Sequence, residues 1–135
     1  KSENQNATIY LADSDDVIRK KILKAKTDQG PTEMNSSKPD YIENIFQLMR
    51  LVSDASTIEK FEADYNNCVI RYGDMKKQLG EDMARFVAPI REKAAAIQND
   101  ETYLRKVMAQ GAEKANANAA KTMKLVREAM GLNYF

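Results

Sequence analysis

Asp74-Met75-Lys76-Lys77-Gln78-Leu79-Gly80-Glu81-Asp82-Met83-Ala84-Arg85-Phe86-Val87-Ala88-Pro89-Ile90 is the stretch that decides the fold. Met75, Leu79, Met83, Phe86, Ile90, Ala94 and Ile97 recur every three or four residues, which puts them on one face of a long α-helix turned toward a core. Pro89 removes a backbone donor and crowds the preceding turn, so a kink is predicted around residues 85–89, with the register surviving on both sides. The chain on either side is built from the same material. Only five Gly and three Pro stand among 135 residues, and the remainder is rich in Ala, Lys, Glu, Leu and Met, which favour helix over sheet.

Toward the C-terminus, Asn99-Asp100 supplies a break and a cap. A last helix then carries Leu104, Met108, Gly111, Ala115, Ala119, Thr122, Val126 and Met130 on one stripe, small in the middle and large at both ends, which predicts close packing of another helix. Gly131 is its natural stop. Toward the N-terminus, Gly73 is expected to make a tight turn and Asp74 to cap the long helix. Ser56-Thr57-Ile58-Glu59 and Asp40-Tyr41-Ile42-Glu43 have the form of capping boxes. The first starts a short helix with Ile58, Phe61 and Tyr65 facing inward, ended by Asn66 and Asn67. The second starts one with Tyr41, Ile45, Leu48, Met49 and Val52 at helical spacing.

Residues 29–39, with Gly30, Pro31, Asn35 and Pro39, read as a hinge loop. Before it, Asp13, Ser14, Asp15 and Asp16 place acceptors and negative charge at a helix start. Arg19, Lys20, Lys21, Lys24 and Lys26 load the rest with positive charge, an arrangement that suits the helix dipole. Ile18, Ile22 and Ala25 give this helix a narrow apolar stripe, and it is expected to end near Asp28-Gln29-Gly30-Pro31. Thr8-Ile9-Tyr10-Leu11 is the one strand-like run and is expected to be an extended lead-in. The predicted fold is therefore all-α: a compact bundle of four to five helices behind a short extended N-terminal segment.

Composition narrows the function classes. Lys and Arg number 21 against 20 Asp and Glu, so a formal charge of +1 provides no whole-chain attraction to nucleic acid or membrane, and any such contact depends on local clustering. With no His and one Cys, Cys68, there is no disulfide framework, no His-based catalytic pair and no His/Cys metal site, so no metal ligands are assigned. The cysteine usage fits a reducing, cytosol-like compartment. No apolar run approaches the roughly 20 residues that cross a bilayer.

The densest positive patch is the first helix, where five basic side chains stand among positions 17–26 with no acid. Such a face tracks a phosphate backbone, or simply gives solubility. Lys76 and Lys77 project from the first turn of the long helix, where they oppose the dipole, and an anion shared with the free backbone donors there would explain them. A solvated face is the plainer account. Arg71, Arg105, Lys106, Lys121, Lys124 and Arg127 are scattered among acids and single out no further site. The seven Met fall mostly on inward stripes and need only a core explanation.

Lys1-Ser2-Glu3-Asn4 followed by Ile9-Tyr10-Leu11-Ala12-Asp13 and a basic helix, then Tyr72-Gly73-Asp74-Met75-Lys76-Lys77, then Gly111-Ala112-Glu113-Lys114-Ala115, form an ordered set. The set resembles the C-terminal part of the bacterial-type tryptophanyl-tRNA synthetases, of the class I aminoacyl-tRNA synthetase family. Class I enzymes carry a mobile loop of pattern Lys-Met-Ser-Lys-Ser, and the chain looks as if it begins at the fourth letter. The resemblance implies that residues 1–13 are the end of this catalytic loop with its lead-in, and that 14–135 are a helical domain receiving the tRNA anticodon. It implies Lys1 and Ser2 as catalytic residues, with Lys1 and Asn4 at the ATP phosphates. With tRNA as the partner, Arg19, Lys20, Lys76, Lys77 and Lys114 are the candidate tRNA contacts.

The implied parent joins tryptophan to tRNA(Trp) with ATP and Mg2+, as a cytoplasmic or mitochondrial homodimer with a preceding nucleotide-binding fold and with neither DNA nor membrane as partner. Without that fold the present residues alone are expected not to activate tryptophan. Composition and periodicity equally permit a free-standing helical module whose basic first helix binds an acidic protein.

Overall fold

The computed structural model of the chain describes residues 7–132, and Lys1, Ser2 and Asn4 lie outside the described residues. Five helices follow in order: α1 (Asp15–Leu23), α2 (Asp40–Val52), α3 (Ala55–Asn66), α4 (Tyr72–Asn99) and α5 (Glu101–Ala129), with no strand among the described residues. The fold is all-α, as its periodicity predicts. The chain divides into two units at Glu92/Lys93. The first holds α1 to α3 and most of α4; the second holds the end of α4 and all of α5.

Each helix of the first unit buries one face in a common core. α1 contributes Ile18 and Ile22; α2 contributes Ile42, Ile45, Phe46 and Met49; α3 contributes Phe61 and Tyr65; α4 contributes Tyr72, Met75, Leu79, Met83 and Val87. Phe46 sits at the centre, fully buried, with the Tyr65 ring edge-on at 6.2 Å between centroids. Ile9 of the lead-in and Ile58 of α3 pack against this core. The lead-in is thus fixed by one apolar side chain and otherwise by polar contacts.

The helix starts rest on backbone rather than on the predicted boxes. Pro39 O accepts from the amides of Ile42 and Glu43, and Asp54 O from those of Thr57 and Ile58, so Asp40 and Ser56 lie inside their helices. Arg71 O accepts from Asp74 and Met75, which moves the start of α4 back to Tyr72 and makes Gly73 an ordinary helical residue, not a turn. Only Asp100 caps as expected, accepting from the Tyr103 amide at 2.9 Å. α1 ends at Leu23 instead of near Gly30. Lys76 Nζ donates to Ala25 O at 2.7 Å and Leu23 O at 3.5 Å, satisfying carbonyls that a longer helix would have used internally.

Two helices end in the same hydrogen-bond pattern with different residues at the left-handed position. After α3, the Cys68 amide donates to Tyr65 O and the Val69 amide to Asp64 O, with Cys68 at φ 59. After α5, Gly131 donates to Glu128 O and Leu132 to Arg127 O, with Gly131 at φ 69. A side chain in this region is strained by about 1–2 kcal/mol, partly offset by the entropy that glycine loses on folding. Cys68→Gly is therefore expected to raise the stability of the first unit by roughly 0.5–1 kcal/mol, read as a higher urea midpoint. A fall in midpoint would show that the half-buried thiol packs better than the geometry implies.

Polar groups tie the first unit together at its surface. Lys38 donates to Glu62 Oε2 at 2.6 Å, and Arg50 joins Glu62 Oε1 at 2.8 Å to Glu43 at 2.6 Å. Burial works to raise the Glu62 carboxyl, but the hydrogen bonds from Lys38 and Arg50 outweigh it and hold the group below its ordinary 4.5. Its contribution is therefore complete above that value and is lost as pH falls through the lower folded value. The urea midpoint is expected to hold between pH 7 and 5 and drop below about pH 4.5, and Glu62→Gln should remove about 1 kcal/mol at neutral pH and flatten the drop. An unchanged acid limb in the variant would assign the drop to other carboxylates.

Asp82 is the one buried charged residue described, 4% exposed on α4. It accepts from Ser53 Oγ at 2.7 Å, just past the end of α2, and from Gln78 Nε2 at 3.0 Å, so it joins α4 to α2. The Tyr72 hydroxyl is buried with no hydrogen-bond partner, and burial followed by the nearby Asp28 carboxylate pushes its pKa well above the ordinary 10.

From Phe86 onward, Val87 excepted, the predicted inward stripe of α4 changes character. Phe86 is 50% exposed, and Ile90, Ala94 and Ile97 are exposed as well. The core of the first unit ends at Val87, so these positions keep the helical period without a partner inside that unit. Pro89 lies within α4 without ending it. In α5 no residue is buried: Leu104 is half-buried, Met108 is exposed, and a Cβ at Gly111 would meet nothing within 4 Å. The close packing predicted at Gly111 and Ala115 is absent from the described residues.

Candidate nucleic-acid interface

The basic residues predicted on α1 and α4 divide into partnered and unpartnered groups. Arg19 grips Glu81 with two parallel hydrogen bonds, Nε to Oε1 at 2.8 Å and Nη2 to Oε2 at 2.9 Å, and reaches Asp16 at 3.3 Å. That contact draws the Glu81 carboxyl below its usual range and raises the Arg19 guanidinium. α1 approaches α4 closely here, for a Cβ on the buried Gly80 would stand 3.6 Å from Arg19 Cα. Lys76 is committed to the C-terminal carbonyls of α1, where a cation suits the dipole. Its placement in the first turn of α4 thus has a structural reason that the sequence could not supply, because the acceptors lie 51 residues away in the chain.

Lys20, Lys24 and Lys77 are exposed and have no ion-pair partner among the described residues. Arg19, Leu23, Lys76, Lys77, Gly80 and Glu81 line one recess of about 60 Å³, so three of the five predicted contact residues meet between α1 and α4. Lys20 follows Arg19 on α1. This is a surface of local positive charge with one internal acid, the form that backbone phosphates take up without sequence reading. Lys114 is exposed on α5 in the other unit.

A second polar assembly, which sequence reading did not find, holds the lead-in. Lys21 Nζ donates to Thr8 O at 2.8 Å and Asp13 Oδ2 at 2.6 Å, and it stands 4.8 Å from the Tyr10 ring centre. The Tyr10 amide donates to the same Asp13 oxygen at 2.9 Å, and the Asp13 amide returns to Tyr10 O at 3.0 Å. From α4, Arg91 donates to Asp13 O and to Asp15 Oδ1, both at 2.7 Å. The hydrogen bond from Lys21, with that of Tyr10, holds the Asp13 carboxyl below the ordinary range. Nothing in the local sequence signals Arg91, since its acceptors are more than 70 residues distant.

Among the described residues no group of three acids or thiols stands as a metal site, and no helix is long and apolar enough to cross a membrane.

Comparison with known proteins bears on the same residues. A family model described as tRNA synthetases class I (W and Y) matches residues 1–88. A tryptophan–tRNA ligase of Porphyromonas gingivalis is 46% identical over 129 residues, covering 96% of this chain and 39% of its own length. One from Clostridium longisporum is 32% identical, covering 99% of this chain and 40% of its own length. One from Helicobacter pylori is 36% identical, over 96% and 38% respectively. The chain thus spans about two fifths of the length of the curated relatives it matches. A free-standing interaction module is not the reading these matches favour. The family match over the lead-in, α1 to α3 and the core-facing part of α4, with relatives aligned along nearly the whole chain, shows that the chain belongs to the class I tRNA synthetases of the tryptophan and tyrosine group.

Proposed function

We propose that these residues serve a tryptophan–tRNA ligase, in which they hold tRNA(Trp) and carry the end of the loop that acts on ATP. The observation that carries this reading is the 46% identity to such a ligase over 96% of the chain. In it, residues 1–13 are the catalytic-loop end and lead-in, and residues 14–135 are the tRNA-binding helical region. Lys1 offsets charge on the departing pyrophosphate, while Ser2 and Asn4 shape the loop or reach the phosphates. ATP and Mg2+ supply the activating chemistry; no described residue is assigned to either.

On the tRNA side, the unpartnered Lys20 and Lys77 are the first contacts, since their ammonium groups are not already neutralised. Arg19 contributes through a guanidinium shared with Glu81, Lys76 mainly by closing the end of α1, and Lys114 from α5. The working enzyme is a cytoplasmic homodimer.

Tryptophan-dependent exchange of pyrophosphate into ATP by the full-length protein tests the reading. Exchange with tryptophan, at least about a hundredfold above that with tyrosine, is the expected result. Exchange driven by tyrosine, or by neither amino acid, would overturn it.

A further inference from the structure

Lys21 and Arg91 are the two basic residues of α1 and α4 that reach the lead-in among the described residues. The Lys21 side chain is 12% exposed and that of Arg91 29%, and between them they make four short hydrogen bonds, three to the six-residue segment 8–13 and one to Asp15 at the start of α1. Two of those bonds go to backbone carbonyls, Thr8 O and Asp13 O, which fixes the path of the chain whatever its side chains are. The segment buries little apolar surface of its own: Ile9 packs on the core, while Tyr10 and Leu11 are about half exposed. Core stability therefore does not account for so dense a set of charge-assisted bonds.

From the geometry we infer that Arg91, with Lys21 and Asp13, is a positioning residue: it locks the root of the catalytic loop onto α4, so that the helical region sets where the loop's lysine acts. The inference rests on the synthetase reading above. Seven Cα-to-Cα steps lead from Lys1 to the pinned Thr8, a reach of at most about 25 Å, and releasing the turn back to Asp13 adds five more steps of slack. A charge that acts only when held within a fraction of an ångström of its target is sensitive to such slack. Arg91 touches no reacting atom, so its removal should affect turnover through the loop and leave amino-acid binding alone.

The test is pyrophosphate exchange by the full-length protein carrying Arg91→Ala, Arg91→Lys or Lys21→Met. Arg91→Ala is expected to lower kcat about ten- to hundredfold, with KM for tryptophan within about twofold and tRNA(Trp) binding unchanged. Arg91→Lys, which can fill one of the two acceptors, should recover part of the loss, and Lys21→Met should resemble Arg91→Ala. A wild-type kcat in Arg91→Ala, or a loss shared equally by KM, kcat and tRNA binding, would overturn the inference while leaving the synthetase reading in place. Absence of tryptophan-dependent exchange in the unsubstituted protein overturns that reading, and the inference with it.

Discussion

Phe46→Ala is expected to destabilise the first unit by about 3–5 kcal/mol, a large share of the roughly 5–15 kcal/mol that holds a domain folded. Phe46 is fully buried, edge-on to Tyr65, with the Lys38 ammonium 4.8 Å from its ring centre. Truncation removes the apolar contacts, one aromatic pair and one cation contact together, and leaves a cavity ringed by side chains from other helices, which cannot all move inward. Urea unfolding followed by the near-UV signal of the tyrosines reads the core rather than the exposed α5. Phe46→Leu, which keeps most of the volume, should lose about 1–1.5 kcal/mol. A loss below about 1.5 kcal/mol for the alanine variant would mean that the core is not organised around this ring.

Lys1→Ala, introduced into the full-length protein, is expected to lower kcat for tryptophan-dependent exchange about a hundred- to a thousandfold. The proposed role of Lys1 is to meet charge that develops as pyrophosphate leaves, an interaction stronger in the transition state than with bound ATP. Its loss should therefore appear mainly in kcat, with KM for tryptophan nearly unchanged. Lys1→Arg keeps the charge but alters its shape and reach, and should recover only part of the rate. A variant with wild-type kcat would remove the loop assignment of residues 1–13.

The helices were legible because their spacing is a local property. Ile18 and Ile22, Phe61 and Tyr65, and Met75, Leu79 and Met83 all face the core as their periodicity requires. What covers a stripe is not local, and there sequence reading fails. Phe86, Ile90 and Ile97 continue the period of α4 yet are exposed, and the Gly111 to Ala115 stripe of α5 meets no described neighbour at Gly111. Asp82 shows the converse: a charged residue inside an apolar period, buried because Ser53 and Gln78 satisfy it.

The site divides along the same line. The basic face of α1 was visible as a run of charge, but its sorting into paired and unpaired cations depended on Glu81 and Asp13, partners 62 and 8 residues away. Lys76 illustrates the consequence, for a lysine whose place in the first turn calls for an anion is held by the end of a neighbouring helix. Arg91 gave no signal at all, because a long-range hydrogen bond to a backbone carbonyl leaves no mark on the acceptor's sequence.

The claim that these helices hold a particular tRNA is tested most directly by equilibrium binding of the 135-residue chain to tRNA(Trp) and to the same RNA with an altered anticodon, near 0.15 M salt, where surface attraction is screened beyond about 8 Å. The account predicts at least about tenfold weaker binding of the altered RNA, and Lys20→Ala with Lys77→Ala weakening both RNAs alike while reducing the salt slope by about one per lysine. Equal binding of the two RNAs would contradict it and reduce the interface to a general attraction for phosphate.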